Sequence, residues 1–139
     1  MMQMLSFPMY NSRGSRVSLE DVLGFIPENT WIWYILDFYG MGCPSPESTM
    51  DSFEARIRSS ENGIAMTGAE LNIFARSLDQ TRDLQLVAAK VGKTICRKEI
   101  EAMNFCKIEV SIEAIDSSEW LIWTRDTLLH DRIRGQLDD

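Results

Sequence analysis

Residues 107–123 carry the clearest alternation in the chain. Ile108, Val110, Ile112 and Ala114 fall at every second position, with Lys107, Glu109, Ser111 and Glu113 between them. A period of two places the first set on one face of a strand and the second on the other. One face is therefore apolar, and the other is polar and largely acidic. The alternation breaks at Asp116-Ser117-Ser118-Glu119, a cluster of turn formers, and an apolar segment resumes at Trp120. The pattern predicts a hairpin with one buried surface and one negative surface facing water.

Helical periodicity appears in four other places. Ser18-Leu-Glu-Asp21 has a capping spacing and opens a helix that Pro27 limits to about two turns. Ser48-Thr-Met-Asp51 precedes an apolar stripe of Met50, Phe53 and Ile57, which Glu61-Asn-Gly63 ends. Thr67-Gly-Ala-Glu70 opens a helix striped by Leu71, Phe74 and Leu78, and residues 127–137 repeat the pattern with Leu128, Leu129, Ile133 and Leu137. Residues 31–38 read as a strand ended by a loop at 39–46, where two Gly and two Pro fall in eight residues. Residues 83–91 read as a short strand, residues 1–17 as a loosely attached lead-in, and residues 92–103 fit no element. Consecutive strands near the end require antiparallel pairing. The expectation is an α+β fold: an antiparallel or mixed sheet of about four strands, with helices packed mainly on one face.

At 139 residues, with 45% hydrophobic and 25% charged positions, the chain reads as one domain, 1–139. The net charge of −7 disfavours nucleic acid and anionic membranes as partners, because Lys and Arg must neutralise their phosphates. It suits a basic partner. Cys43, Cys96 and Cys106 make an odd set without a C-x-x-C spacing, and His130 is remote from all three. That pattern predicts a reducing, cytoplasmic setting and no zinc site. The longest apolar run, 31–36, is too short to span a bilayer. No cofactor motif is present, and Gly40-Met-Gly42 lacks the rest of a phosphate-binding fingerprint.

Paired carboxylates for glycoside hydrolysis stand about 5–10 Å apart. Glu109 and Glu113, four residues apart on one strand face, would be separated by about 13 Å. They read as a solvated face or as an acidic surface for a partner. Asp37 falls on the face of Trp31, Trp33 and Ile35, where a buried carboxylate would need a cation or hydrogen bonds. At a strand end, water or loop amides would satisfy it. Asp116 reads as a turn former and Glu119 as solvent-facing. His130 could act as a base, yet no Ser or Cys stands near it in sequence, and a helix-surface position suits it. Trp31 and Trp33 share a face, while Trp120 and Trp123 fall on opposite faces of an extended segment. Such tryptophans serve as core or as interface anchors.

Four stretches resemble small immunity proteins encoded beside bacterial polymorphic toxins, including those of contact-dependent growth inhibition. They are the aromatic strand Trp31-Ile-Trp-Tyr-Ile-Leu-Asp-Phe, the helix start Met50-Asp-Ser-Phe-Glu54, Thr67-Gly-Ala-Glu-Leu-Asn-Ile-Phe-Ala75, and Ile115-Asp-Ser-Ser-Glu-Trp120. The lead-in and residues 92–103 have no counterpart in that resemblance. It implies a non-enzymatic inhibitor of a cognate toxin domain, commonly a nuclease with a basic cleft. An acidic surface of Glu109, Glu113, Asp116 and Glu119 would then meet the toxin, with Trp120 or Trp123 as apolar anchors. Charge reversal at Glu109 and Glu113 would weaken binding and spare the fold. Two other classes stay open on the residues alone: a non-catalytic adaptor of phage or bacterial origin, and a small enzyme using Asp37, Asp116 or His130.

Overall fold

A computed structural model describes residues 2–10, 12–42 and 49–137. In chain order the elements are β1 (Gln3–Pro8), α1 (Leu19–Gly24), β2 (Ile32–Gly42), α2 (Met50–Ser59), β3 (Ile64–Thr67), α3 (Gly68–Arg76), β4 (Leu78–Ala89), α4 (Arg97–Glu101), β5 (Val110–Ile115), β6 (Glu119–Thr124) and α5 (Thr127–Leu137). The class is α+β. All strand pairs are antiparallel, in the order β1-β6-β5-β4-β2-β3. No helix among the described residues is long and apolar enough to cross a membrane.

Side-chain caps place the helix starts. The Ser18 hydroxyl accepts from the Asp21 N–H at 3.1 Å and the Asp21 carboxylate accepts from the Ser18 N–H at 2.9 Å; Thr67 and Glu70 repeat this reciprocal pair before α3. Before α2 the cap is Thr49, whose hydroxyl accepts from the Ser52 N–H at 3.1 Å. Ser48 lies outside the described residues, as does most of the loop expected at 39–46.

The sheet has six strands where about four were expected. Residues 3–8, read as part of a lead-in, form the edge strand β1, with Leu5 and Phe7 buried against Ile122 and Trp120. β3 is a four-residue strand between Gly63 and the α3 cap, too short to show a period. β2 runs on through Tyr39 to Gly42, and β4 starts at Leu78, which had been assigned to the preceding helix stripe.

Two apolar layers clasp the sheet. On one face, Leu5, Phe7, Trp33, Ile35, Phe38, Leu86, Ile112, Trp120 and Ile122 pack against Leu19 and Val22 of α1, Phe53 and Ile57 of α2, Leu71 and Phe74 of α3, and Leu129 and Ile133 of α5. Each such side chain contributes about 1.5–3 kcal/mol on burial. On the other face, a roof of Ile95, Ile100, Phe105 and Ile108 covers Leu36, Val87 and Ala89. Most helices thus lie on one side, and the other side is only half covered.

The roof is the segment that showed no pattern in the sequence. Arg97 fastens it: its guanidinium donates to the carbonyls of Leu36, Ile57 at 2.8 Å and Ser60 at 2.9 Å. Arg125 holds the far end through the Phe105 and Ile108 carbonyls at 2.7 and 2.6 Å. Lys107 and Glu99 add a 3.0 Å ion pair, and their hydrogen bond, then their charges, raise the Lys107 pKa.

Candidate functional site

Strand register decides which side chains share the half-covered face. Directly opposed residues point the same way, so Asp37, Gln85, Glu113, Leu121 and Ser6 form one row across β2, β4, β5, β6 and β1. The next row outward holds Tyr39, Asp83, Ile115, Glu119 and Pro8, since Leu84 opposes Ala114 and Asp83 therefore sits beside Ile115. The row on the inner side, Val87, Ser111, Trp123 and Met4, runs under or beside the roof. Two rows remain open to water and carry Asp37, Asp83, Glu113 and Glu119, among Tyr39, Ile115 and Leu121.

Asp37 reaches this face through a bulge. The register between β2 and β4 slips between Ile35 and Asp37, so Leu36 and Asp37 both oppose Gln85. Leu36 turns under the roof, and Asp37 is exposed. It therefore parts from Trp33 and Ile35, whose face simple alternation assigned to it. No buried carboxylate results.

Of the surface expected from the sequence, Glu113, Asp116 and Glu119 come together. Asp116 and Ser117 occupy the hairpin turn with φ of 47° and 57°. The Ser118 N–H closes the turn on the Ile115 carbonyl at 2.8 Å, and the Asp83 carboxylate accepts from the Asp116 N–H at 2.9 Å. Glu113 is half-buried between its neighbouring strands, and the loss of water pushes its carboxyl pKa above the ordinary range. Glu109 lies elsewhere. It precedes β5 at the roofed end, where its N–H donates to the Ala88 carbonyl at 2.7 Å.

The tryptophans separate sharply. Trp120 is 0% exposed, and its indole N–H donates to the Val17 carbonyl at 3.0 Å. That overturns its expected role as a partner anchor: even-numbered positions of β6 face the helix layer. Trp123 points the other way, half-buried, with its ring 5.8 Å from that of Phe105. A shallow groove of about 460 Å³ runs past both, bordered by Met2, Met103 and Arg125. Among the described residues, the Trp123 Nε1 and the facing Ser111 Oγ are buried and have no hydrogen-bond partner.

Of the residues considered for catalysis, Asp37 and His130 do not meet. Asp37 lies on the open sheet face, whereas His130 is buried on α5, whose Leu129 and Ile133 pack on the opposite face. Burial also corrects the expected surface position of His130. Among the described residues no three His, Cys, Asp or Glu side chains are grouped as a metal ion would require. Cys96 and Cys106 are free thiols; Cys43 lies outside the described residues. Gly40 serves packing rather than phosphate: a Cβ there would collide with the Gln80 carbonyl oxygen and the Phe38 ring.

Two acids join the open face beyond those expected there: Asp83, which the sequence did not single out, and Asp37, which simple alternation places on the opposite face. Asp83 and Gln85 alternate with Leu84 and Leu86, so the β4 pattern held that signal; Asp37 needed the bulge. No protein-family model matches this chain, and neither does any curated protein or solved structure.

Proposed function

We propose that this chain is an immunity protein that binds a cognate bacterial toxin domain, a basic one such as a nuclease, and neutralises it without chemistry of its own. The supporting observation is the open half of the sheet: Asp37, Asp83, Glu113 and Glu119 on two adjacent rows, with Asp116 at the turn beside them. The strand positions of those rows hold no Lys or Arg. Arg82, the extra β4 residue where the register slips between Tyr39 and Gly40, brings one guanidinium onto this face, 5.2 Å from the centre of the Tyr39 ring.

Such a face steers a basic cleft into register and speeds encounter, which matters for a protein made beside a lethal enzyme. Tyr39, Ile115 and Leu121 among the acids supply the apolar area that charge alone lacks. The test is co-expression with the product of the neighbouring gene, then co-purification and kinetics. The double variant Glu113→Lys, Glu119→Lys should lower the association rate at least about tenfold at low salt, with the gap narrowing as salt screens the charges. Glu109→Lys, at the roofed end, should change it far less. Unaltered kinetics in the double variant would remove this face from the interaction.

A second reading, an adaptor for some other protein, draws on the groove at Trp123 and Phe105. There the contact would be apolar and insensitive to salt, so the same titration separates the two.

A further inference from the structure

A groove at the start of α3 lies on the helix side of the sheet, away from the acidic rows. Its volume is about 360 Å³, within the range of about 300–1,000 Å³ that holds small molecules, and it runs between the end of α1 and the first turn of α3. We propose that it binds a free aliphatic α-amino acid.

Backbone donors supply the place for a carboxylate. A helix begins with four N–H groups that have no partner inside it. At the nine-residue α3, the Glu70 carboxylate accepts from the Thr67 N–H at 2.9 Å, and the Thr67 hydroxyl accepts from the Glu70 N–H at 3.2 Å. The two N–H groups between them, of Gly68 and Ala69, have no partner among the described residues, and both residues border the groove.

Trp33 is the independent observation. It lines the same groove and is 2% exposed, yet no hydrogen bond among the described residues engages its indole N–H. That N–H is not sealed in the core, because the enclosed side-chain polar atoms without partners are Ser111 Oγ and Trp123 Nε1. The small part of Trp33 that water reaches therefore includes Nε1, and it opens onto the groove. Two helix N–H groups and an indole N–H, from elements far apart in the chain, border one space and favour a negative group there.

The remaining lining selects the rest of the ligand. Leu23, Ile26 and Leu71 offer an apolar wall to an aliphatic side chain. Glu28 also lines the groove, has no ion pair among the described residues, and would repel a ligand that was only an anion. Asn72 donates its amide N–H to the Gly68 carbonyl at 3.0 Å, which leaves its Oδ1 free to accept. Those two acceptors match an ammonium group. A carboxylate, an ammonium and a short apolar chain on one small molecule describe an amino acid.

Titrating the ¹⁵N-labelled chain with L-leucine should shift the Gly68 and Ala69 amides and the Trp33 indole N–H along one saturable curve. Gly68→Pro removes a donor at the first helical position, where proline is tolerated, and it follows a Thr67 that is already extended at ψ 167°. The variant should keep the fold and weaken binding about tenfold, as loss of a charge-assisted hydrogen bond implies. L-leucinamide, without the carboxylate, and N-acetyl-L-leucine, without the ammonium, should each bind at least about fivefold more weakly than L-leucine. Unmoved resonances, equal affinity in Gly68→Pro, or equal binding of either analogue overturns the proposal.

Discussion

Around Glu113 the neighbouring strands withdraw water without supplying a cation, which raises its pKa above the ordinary 4.5. Below pH 4.5 the group is protonated whether the chain is folded or not, and it costs nothing. As pH rises through that value toward the higher folded pKa, ionisation is resisted by the fold, and the penalty persists at neutral pH. Glu113→Gln should therefore raise stability at pH 7 and leave it unchanged near pH 3.5. Urea midpoints at both pH values check this, and a loss at pH 7 would reveal a stabilising partner for the carboxylate. Trp120 shows the opposite balance. Trp120→Phe keeps most of the apolar area but strips the donor from the Val17 carbonyl, at a cost of about 1–3 kcal/mol. Alternation correctly set Trp120 and Trp123 on opposite faces. Which face was covered was not legible, because helices remote in sequence do the covering. Asp37 was misplaced for a related reason: a bulge adds one residue to one strand, and no single-strand period records it.

At the scale of elements, caps and stripes were readable where their partners lie within one turn, as for Ser18 with Asp21 and Thr67 with Glu70. The roof at 92–103 was not. Its order comes from Arg97 reaching carbonyls at Leu36, Ile57 and Ser60, and nothing local announces such a clamp. Arg97→Met keeps the stem but leaves those acceptors unmatched. It should cost about 2–4 kcal/mol, since hydrogen bonds to a charged group run about 1.5–3 kcal/mol each and water recovers part of the loss. Hydrogen exchange should then accelerate first at 95–108, ahead of the helix layer. Uniform acceleration across the chain would mean the roof is held by its apolar contacts instead. The edge strand β1 shows a different failure of legibility. Its period is present in Leu5, Phe7 and Met9, but six residues at an edge resemble a tail until β6 is placed beside them.

For the molecule as a whole, charge and coverage are arranged together: helices take one side of the sheet, the roof takes half of the other, and the acids occupy what is left. The −7 net charge was legible; that Asp37, Asp83, Glu113 and Glu119 share two rows depends on a register spanning five strands. Because β1 and β6 share one core with the helices, Phe7→Ala should lower stability by about 3 kcal/mol. It should shift a single unfolding transition, identical by far-ultraviolet circular dichroism and by tryptophan fluorescence. Two separated transitions would show that the first strand melts on its own. The pairing of Gln3 with Thr124 has a temporal consequence. β1 leaves the ribosome before β6 and must wait for it, and the rows that carry the carboxylates span segments from Ser6 to Leu121. A nascent chain still on the ribosome, or a fragment clipped by a protease, offers scattered acids and no face. The acidic rows are therefore assembled only once β6 has been made and paired, and separating the strands dismantles them.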